Sequence, residues 1–155
     1  MARQLSAYLA APLVPEYGRT YCEANGTDLS MEDLLTIART HDAMTRARRA
    51  EAGDWLILDT DPLMTAVWAD MLFGRRDPWF DAWDDTADLY LLLDIDLPWI
   101  ADGTRLFGSR AQRQDFFDRS KAELVRRRLP WALVTGTGAA RLAHALAAID
   151  AAVAA

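Results

Sequence analysis

The sequence has few of the residues that define several classes of protein. It has one cysteine, Cys22, so no internal disulfide can form, and with only two histidines it offers no zinc constellation. Its most apolar short run, residues 89–93, lies between Asp88 and Asp94 and is far shorter than the about 20 residues that a membrane span requires. The net charge is −6, so basic residues are not in excess. We therefore expect a cytoplasmic protein with no membrane and no nucleic-acid partner.

The sequence contains enough apolar material for one compact domain, because 52% of its 155 residues are hydrophobic. Short apolar runs alternate with longer amphipathic segments. We predict strands at 12–15, 55–58, 88–93 and 131–134, and helices at 2–11, 30–52, 62–73, 109–128 and over the alanine-rich C-terminal segment. Such alternation is typical of an α/β domain with a parallel sheet and right-handed crossovers, here spanning 1–155.

Three arginines follow the third predicted strand. Arg105 lies between Gly103 and Gly108, which suits a mobile loop that closes guanidinium groups around a polyphosphate. Arg110 and Arg113 follow at helical spacing, so a solvated helix face with weak ion pairs is the alternative for these two. We predict a phosphate-binding lid at this position.

A phosphate-binding lid needs a phosphate cradle beneath it. The usual cradle, Gly-x-x-x-x-Gly-Lys-Ser/Thr between a first strand and a first helix, occurs nowhere in the sequence. The run 135–138, Thr-Gly-Thr-Gly, is only a partial glycine pattern, and it follows the last predicted strand. It is weak evidence for a turn that borders an adenine.

Two carboxylates follow the second predicted strand. Asp59 closes this apolar strand, a position from which a carboxylate meets a nucleotide-bound magnesium. Asp61 follows two residues later and would share its face on an extended chain, where it could hold or deprotonate a hydroxyl nucleophile. The alternative is that Asp61 caps the helix that begins near Pro62.

Further candidate residues suit the binding of a nucleoside. Glu16, Tyr17 and Arg19 follow the first predicted strand and could bind a ribose or position a base, and Trp99 could stack on a flat ring. Ordinary packing and a surface ion pair are the alternative for these residues. Asp102 either orders the lid through an arginine or begins a turn.

Taken together, these motifs resemble the NadR-type nicotinamide riboside kinase domains of the AAA-like P-loop ATPase and kinase family. The resemblance covers nearly the whole chain. It rests on five segments: Glu16-Tyr17-Gly18-Arg19; Asp59-Thr60-Asp61; residues 88–93; Pro98-Trp99 with Asp102-Gly103 and Arg105; and Gln112-Arg113 with Phe116.

The resemblance implies a three-layer P-loop NTPase-like fold and ATP-dependent phosphorylation of a nucleoside hydroxyl, with nicotinamide riboside as the leading substrate in NAD salvage. It implies that Asp59 is the Walker B acid on Mg²⁺, and that Asp61 and residues 16–19 contact the ribose side. Trp99 and the arginines Arg105, Arg110 and Arg113 would belong to the lid. ATP and Mg²⁺ are thus expected through the resemblance alone.

The sequence departs from the family pattern at its start. Residues 1–5 align with the helix after the phosphate loop, so that loop and the first strand are absent. In the family strand order 2-3-1-4-5 the first strand is central, and its loss leaves two open edges. We expect the chain to begin at an internal methionine of a longer reading frame, or to be a truncated copy, and to be inactive as it stands.

Two other functions remain open. A chain without a phosphate loop fits a non-catalytic module that binds a nucleotide or metabolite, and the same landmarks fit an ATPase coupled to a partner protein. The sequence leaves open the oligomeric state and an accompanying adenylyltransferase domain.

Overall fold

A computed structural model describes residues 1–98, 100 and 107–154. Its helices and strands alternate as predicted, which confirms the α/β class. In chain order they are α1 (Ala2–Tyr8), β1 (Leu13–Val14), α2 (Tyr17–Asn25), α3 (Met31–Arg49), β2 (Ile57–Leu58), α4 (Pro62–Phe73), α5 (Pro78–Ala82), β3 (Tyr90–Leu93), α6 (Arg110–Arg126), β4 (Trp131–Val134) and α7 (Gly138–Val153). Neither α2 nor α5 is predicted from the sequence.

The strands form two parallel pairs. β1 pairs with β2, with Leu13 opposite Ile57, and β3 pairs with β4, with Tyr90 opposite Trp131. Within the described residues, each strand has a hydrogen-bonded neighbour on one side only. Removing strand 1 from the family order 2-3-1-4-5 leaves the pairs 2-3 and 4-5. The pairs β1–β2 and β3–β4 match these two.

The chain divides into two compact units. We call Met1–Asp85 the first unit and Thr86–Ile100 with Phe107–Ala155 the second unit; residues 99, 101–106 and 155 are not among the described residues. The prediction of a single domain over 1–155 stays a prediction. None of the described helices is long and apolar enough to span a membrane.

The core of the first unit lies between α3 and α4. α3 begins with a capping box, in which the Ser30 hydroxyl accepts from the Asp33 N–H and the Asp33 carboxylate accepts from the Ser30 N–H. Pro62 occupies the first turn of α4, and Gly74 ends that helix in the left-handed conformation at φ 64°. Leu34 of α3 is fully buried in this core.

The second unit packs α7 against the β3–β4 pair through β4. α6 begins with a capping box formed by Ser109 and Gln112. Arg141 of α7 is buried, and its guanidinium donates to the Asp96 carboxylate at 2.6 Å and to the Asp94 carbonyl at 2.7 Å. The Gly136 N–H also donates to Asp96, at 2.6 Å, and this bond is the main reason that the pKa of Asp96 is lowered.

Candidate functional site

Asp59 lies at the carboxyl end of β2, where the sequence predicts it. Its backbone N–H donates to the Val14 carbonyl at 2.9 Å, so the β1–β2 pairing continues up to this residue. The Asp59 side chain is exposed beyond that last rung. Carboxyl ends of parallel strands are the edge at which α/β folds bind ligands. That Asp59 binds a magnesium ion stays a prediction.

Thr60 follows with a φ of 87°, in the left-handed region. A β-branched residue rarely adopts this conformation, and the strain costs on the order of 1–3 kcal/mol. Strained backbone of this kind concentrates at functional sites. The strained residue therefore lies in the turn between the two candidate carboxylates, Asp59 and Asp61.

Asp61 caps α4, which is the alternative considered for it from the sequence. Its Oδ1 atom accepts from the Leu63 N–H at 2.9 Å and from the Met64 N–H at 3.4 Å, and only 5% of the residue is exposed. These bonds satisfy amides that the helix itself leaves unpaired. The role of Asp61 toward a substrate stays a prediction.

Residues 16–19 form the start of α2. Glu16 is the N-cap residue of this helix and lies 3.7 Å from the Arg19 guanidinium as an ion pair. Tyr17 packs against the apolar core and meets the Tyr21 ring edge-on at 6.3 Å. Packing and an ion pair, the alternative for these residues, thus describe Tyr17 and Arg19 in the structure. Their roles toward a substrate stay predictions.

A cleft in the first unit brings Glu16 close to the strained turn. It is small, with a cavity volume of about 10 Å³ that leaves room for about one water molecule, and it is lined by Glu16, Gly18, Ile37, His41, Thr60, Met64, Thr65 and Trp68. Gly18 allows the Trp68 ring to pack closely, because a Cβ atom at Gly18 would lie 3.3 Å from that ring. The lining of the cleft therefore combines one carboxylate, one imidazole, two hydroxyls and one indole.

His41 is the residue that sequence reasoning overlooked. It is 2% exposed, and within the described part of the chain neither ring nitrogen makes a hydrogen bond of good geometry, although the Pro15 backbone carbonyl interacts with the ring. Burial lowers its pKa, while Asp59, Asp42 and the Pro15 carbonyl act in the opposite direction. The available signal was its position on α3, in helical register with the apolar residues Leu34, Ile37 and Ala38.

The candidate lid residues that the structure describes lie in the first turn of α6. Arg110 is exposed, and Arg113 donates from Nη1 to the Leu97 carbonyl at 3.2 Å. Trp99, Asp102 and Arg105 lie outside the described residues. The phosphate-binding roles of the arginines therefore stay predictions.

A magnesium site at Asp59 would rely on few protein ligands. The described residues contain no group of three or more histidine, cysteine, aspartate or glutamate side chains that could hold a metal. Mg²⁺ keeps several waters and is commonly bound by one or two carboxylates together with substrate phosphates. A single strand-end carboxylate fits that mode of binding, and it does not fit a site built from protein ligands alone.

Comparisons with known proteins agree with the resemblance. A family model described as an AAA domain matches residues 1–141. The trifunctional NAD biosynthesis/regulator proteins NadR of Escherichia coli (strain K12) and Salmonella typhimurium (strain LT2) are each 32% identical to this chain over 107 residues, which is 65% of this chain and 26% of theirs. A crystal structure of NadR protein in complex with NAD and AMP-PNP matches 99% of this chain and 45% of that chain, with a TM-score of 0.73 and 22% identity.

These matches differ in what they show. The chain spans about a quarter of the length of the two NadR proteins. The structural likeness shows the fold, an α/β arrangement like that of NadR. The family model covers nearly the whole chain, and on that ground the chain belongs to the AAA domain family.

Proposed function

We propose that this chain is a domain of a cytoplasmic, ATP- and Mg²⁺-dependent nucleoside kinase that phosphorylates nicotinamide riboside in NAD salvage. The observation that carries the proposal is the exposed Asp59, which directly follows β2 at the carboxyl end of the β1–β2 pair. Membership of the AAA domain family and the likeness to NadR proteins support it. The NadR protein of the matching crystal structure is in complex with NAD and AMP-PNP, which supports nucleotide binding here.

The cleft suits a cationic nucleoside. Glu16 contributes a carboxylate to its wall, and the Asp59 carboxylate is near enough to act on the pKa of His41. Trp68 also lines the cleft, and aromatic side chains attract cations. The pyridinium ring of nicotinamide riboside carries a positive charge, so it gains from both features. Neutral nucleosides lack this gain.

Phosphoryl transfer depends on positioning and on electrostatic stabilisation. Asp59 would hold Mg²⁺ through a water or directly, and the bound ion would neutralise charge that develops on the phosphate. Arg105, Arg110 and Arg113 would steady the transferring group from the lid. Glu16 would orient the acceptor toward that group, and Tyr17, Arg19, Asp61, Trp99 and Asp102 would complete the acceptor side.

The 155 residues contain no phosphate loop of their own. The backbone amides and the lysine of that loop hold the phosphates of ATP in P-loop enzymes. We therefore expect these residues alone to bind nicotinamide riboside without phosphorylating it.

A reconstruction experiment tests the proposed function. The chain is compared with a fusion that carries the first strand and phosphate loop of the E. coli NadR protein at its N-terminus, and phosphate transfer from radiolabelled ATP to nicotinamide riboside is measured. Transfer by the fusion alone is the expected result. Within the fusion, Asp59→Asn should lower kcat by a factor of about 100 or more, as expected for lost metal positioning, whereas Asp54→Asn is the control with the same change of charge.

Other outcomes identify the alternatives. Ligand binding without transfer in both chains favours a non-catalytic module, an alternative that the absence of a phosphate loop itself suggests. ATP hydrolysis without a nucleoside acceptor favours an ATPase coupled to a partner. Transfer that Asp59→Asn leaves unchanged contradicts the role of Asp59.

A further inference from the structure

One edge of β3 has no partner strand among the described residues. The Tyr90 N–H donates to the Pro130 carbonyl at 2.9 Å and the Asp94 N–H donates to a carbonyl of β4 at 2.9 Å, so the even-numbered residues of β3 direct their backbone groups toward β4. Backbone groups alternate in direction along a strand, so those of Leu91 and Leu93 face the opposite side. The N–H and C=O groups of these two leucines can therefore pair with a further strand.

This edge lacks the features that protect natural edge strands from pairing. Such strands commonly contain a lysine, a proline or a bulge. Residues 88–94 read Asp-Leu-Tyr-Leu-Leu-Leu-Asp, without lysine, proline or glycine, and Leu93 is 39% exposed. β1 offers a contrast, because it is directly followed by Pro15, which has no N–H to donate. The edge of β3 is thus suited to accept a strand.

An acid lies near each end of this edge. Asp88 precedes β3 and Asp94 follows it, and neither carboxylate forms an ion pair with a basic side chain in the described part of the chain. The two residues are about 20 Å apart along an extended chain. Opposite charges on neighbouring strands stabilise their pairing, and like charges destabilise it. The edge is therefore complementary to an apolar segment that has a basic residue at each end.

A second copy of this chain does not meet that requirement through β3. In an antiparallel pair of two β3 strands, Asp88 of each copy would lie near Asp94 of the other copy. In a parallel pair in register, each acid would lie beside its own counterpart. Both arrangements bring like charges together. None of the described strands lies directly between two basic residues. The complementary strand therefore belongs to a different protein.

We propose that the open edge of β3 is a docking site for an extended segment of a partner protein, which joins the β3–β4 pair as a third strand. The segment contains aliphatic residues between two basic residues. Backbone hydrogen bonds to Leu91 and Leu93 hold it, and contacts with Asp88 and Asp94 select it by charge. This inference does not depend on the proposed function, which concerns the first unit.

Amide hydrogen exchange, measured by nuclear magnetic resonance on the unaltered chain, tests whether the edge is open. The amides of Tyr90 and Asp94 should exchange slowly, because they bond to β4. Those of Leu91 and Leu93 should exchange at least about tenfold faster. Protection of these leucine amides that grows with protein concentration would identify a second copy as the occupant. Protection at every concentration would show that the chain itself closes the edge. Either result overturns the proposal.

A synthetic peptide tests the docking itself. The probe is Lys-Thr-Val-Ile-Val-Thr-Lys with blocked ends, and its affinity is measured by fluorescence anisotropy. Saturating peptide should slow the exchange of the Leu91 and Leu93 amides and leave that of Tyr90 and Asp94 unchanged. The control peptide has glutamate in place of both lysines and should bind at least about fivefold more weakly. Equal affinities, or no binding of the lysine peptide, would contradict the proposal.

Two N-methylated forms of the lysine peptide test whether it binds as a strand. One form has methyl groups on the amide nitrogens of its second and fourth residues, and the other has them on the third and fifth. Alternate amides of a bound strand face β3, so one form should lose binding while the other keeps it. Similar affinities of the two forms would show that backbone pairing does not hold the peptide.

Substitutions test the selection by charge. Asp88→Lys should weaken binding of the lysine peptide by about fivefold or more and strengthen binding of the glutamate peptide by a similar factor. Asp150→Lys makes the same change of charge at an exposed position of α7 and should alter either affinity by less than about twofold. Circular dichroism checks the fold of both variants. If the two substitutions have equal effects, Asp88 does not contact the segment and the proposal is wrong.

Discussion

At the scale of the residue, the turn after β2 combines a strained backbone with side chains that are candidates for ligand binding. Thr60 adopts a φ of 87° between Asp59 and Asp61 and also lines the cleft. A left-handed conformation brings the Cβ atom close to the following carbonyl oxygen, and glycine avoids this cost. The tertiary structure thus holds Thr60 in a conformation that its side chain disfavours.

Thr60→Gly should raise the free energy of unfolding by about 0.5–1 kcal/mol, because the relief of about 1–2 kcal/mol exceeds the entropic cost of glycine. Urea denaturation measures the change. Thr60→Ala is the matched control, since it removes the hydroxyl and the branch while keeping the Cβ atom. Equal stabilisation by both variants would show that the backbone conformation is not the source of the strain.

His41 gives the fold a dependence on pH. Burial lowers the pKa of His41 in the folded state, against about 6.5 in the unfolded chain. The unfolded state therefore binds more protons below pH 6.5 or so, and stability falls as the pH drops from that value through the lowered pKa. Asp59, Asp42 and the Pro15 backbone carbonyl act in the opposite direction and reduce this loss.

We expect wild-type protein to unfold at lower urea concentration at about pH 5.5 than at about pH 7.5, on the basis of the ordinary histidine pKa. His41→Leu should remove most of this difference, because the group that titrates is gone. His144→Leu should retain it. A wild-type midpoint that rises on acidification would contradict the assigned direction of the His41 pKa.

At the scale of the element, local signals in the sequence predicted helix starts well. The capping boxes of Ser30 with Asp33 and of Ser109 with Gln112 are both present. In the first of them, hydrogen bonds from the Ser30 side chain, the Tyr21 hydroxyl and the Ser30 N–H lower the pKa of Asp33 to about 2. These devices work over three residues, so a sequence suffices to find them.

The helix α2 shows what such signals miss. Its N-cap residue, Glu16, makes no capping hydrogen bond, and its first turn contains no acidic residue. Its buried residues are Gly18 and Cys22, and Gly18 packs against the Trp68 ring. Tertiary packing, and not helix propensity, stabilises this helix. No local pattern in the sequence therefore predicts it.

Two glycines allow a matched test of a helix end. Gly74 ends α4 at φ 64°, whereas Gly53 has no positive φ, and a Cβ atom at either position meets nothing within 4 Å. Gly74→Ala should lower the free energy of unfolding by about 1–2 kcal/mol, because alanine is strained in the left-handed conformation.

The control is Gly53→Ala, which should be neutral or stabilising by up to about 1 kcal/mol, because alanine restricts the unfolded chain. Thermal and urea denaturation of both variants measure the difference. Equal effects of the two substitutions would contradict the role of Gly74 as a left-handed helix end.

At the scale of the whole molecule, the alternation of apolar runs predicted the α/β class, and the combination of motifs predicted the family. Both are confirmed, because strands buried in a parallel sheet and strand-end acids leave distinct patterns. The division into two compact units was not predicted, since it depends on contacts between distant segments. Tertiary neighbours also decide whether Asp61 caps a helix or contacts a ligand, and whether Tyr17 packs in the core or binds a substrate. No local sequence pattern specifies those neighbours.

The central claim is that this chain binds nicotinamide riboside at the carboxyl end of the β1–β2 pair, beside Asp59. Isothermal titration calorimetry on the unaltered 155-residue chain tests it most directly, with the reduced, uncharged form of the same nucleoside as the comparison. The account predicts saturable binding of nicotinamide riboside at one site per chain, and weaker binding of the reduced form because it lacks the pyridinium charge. The absence of saturable binding by nicotinamide riboside would contradict the account.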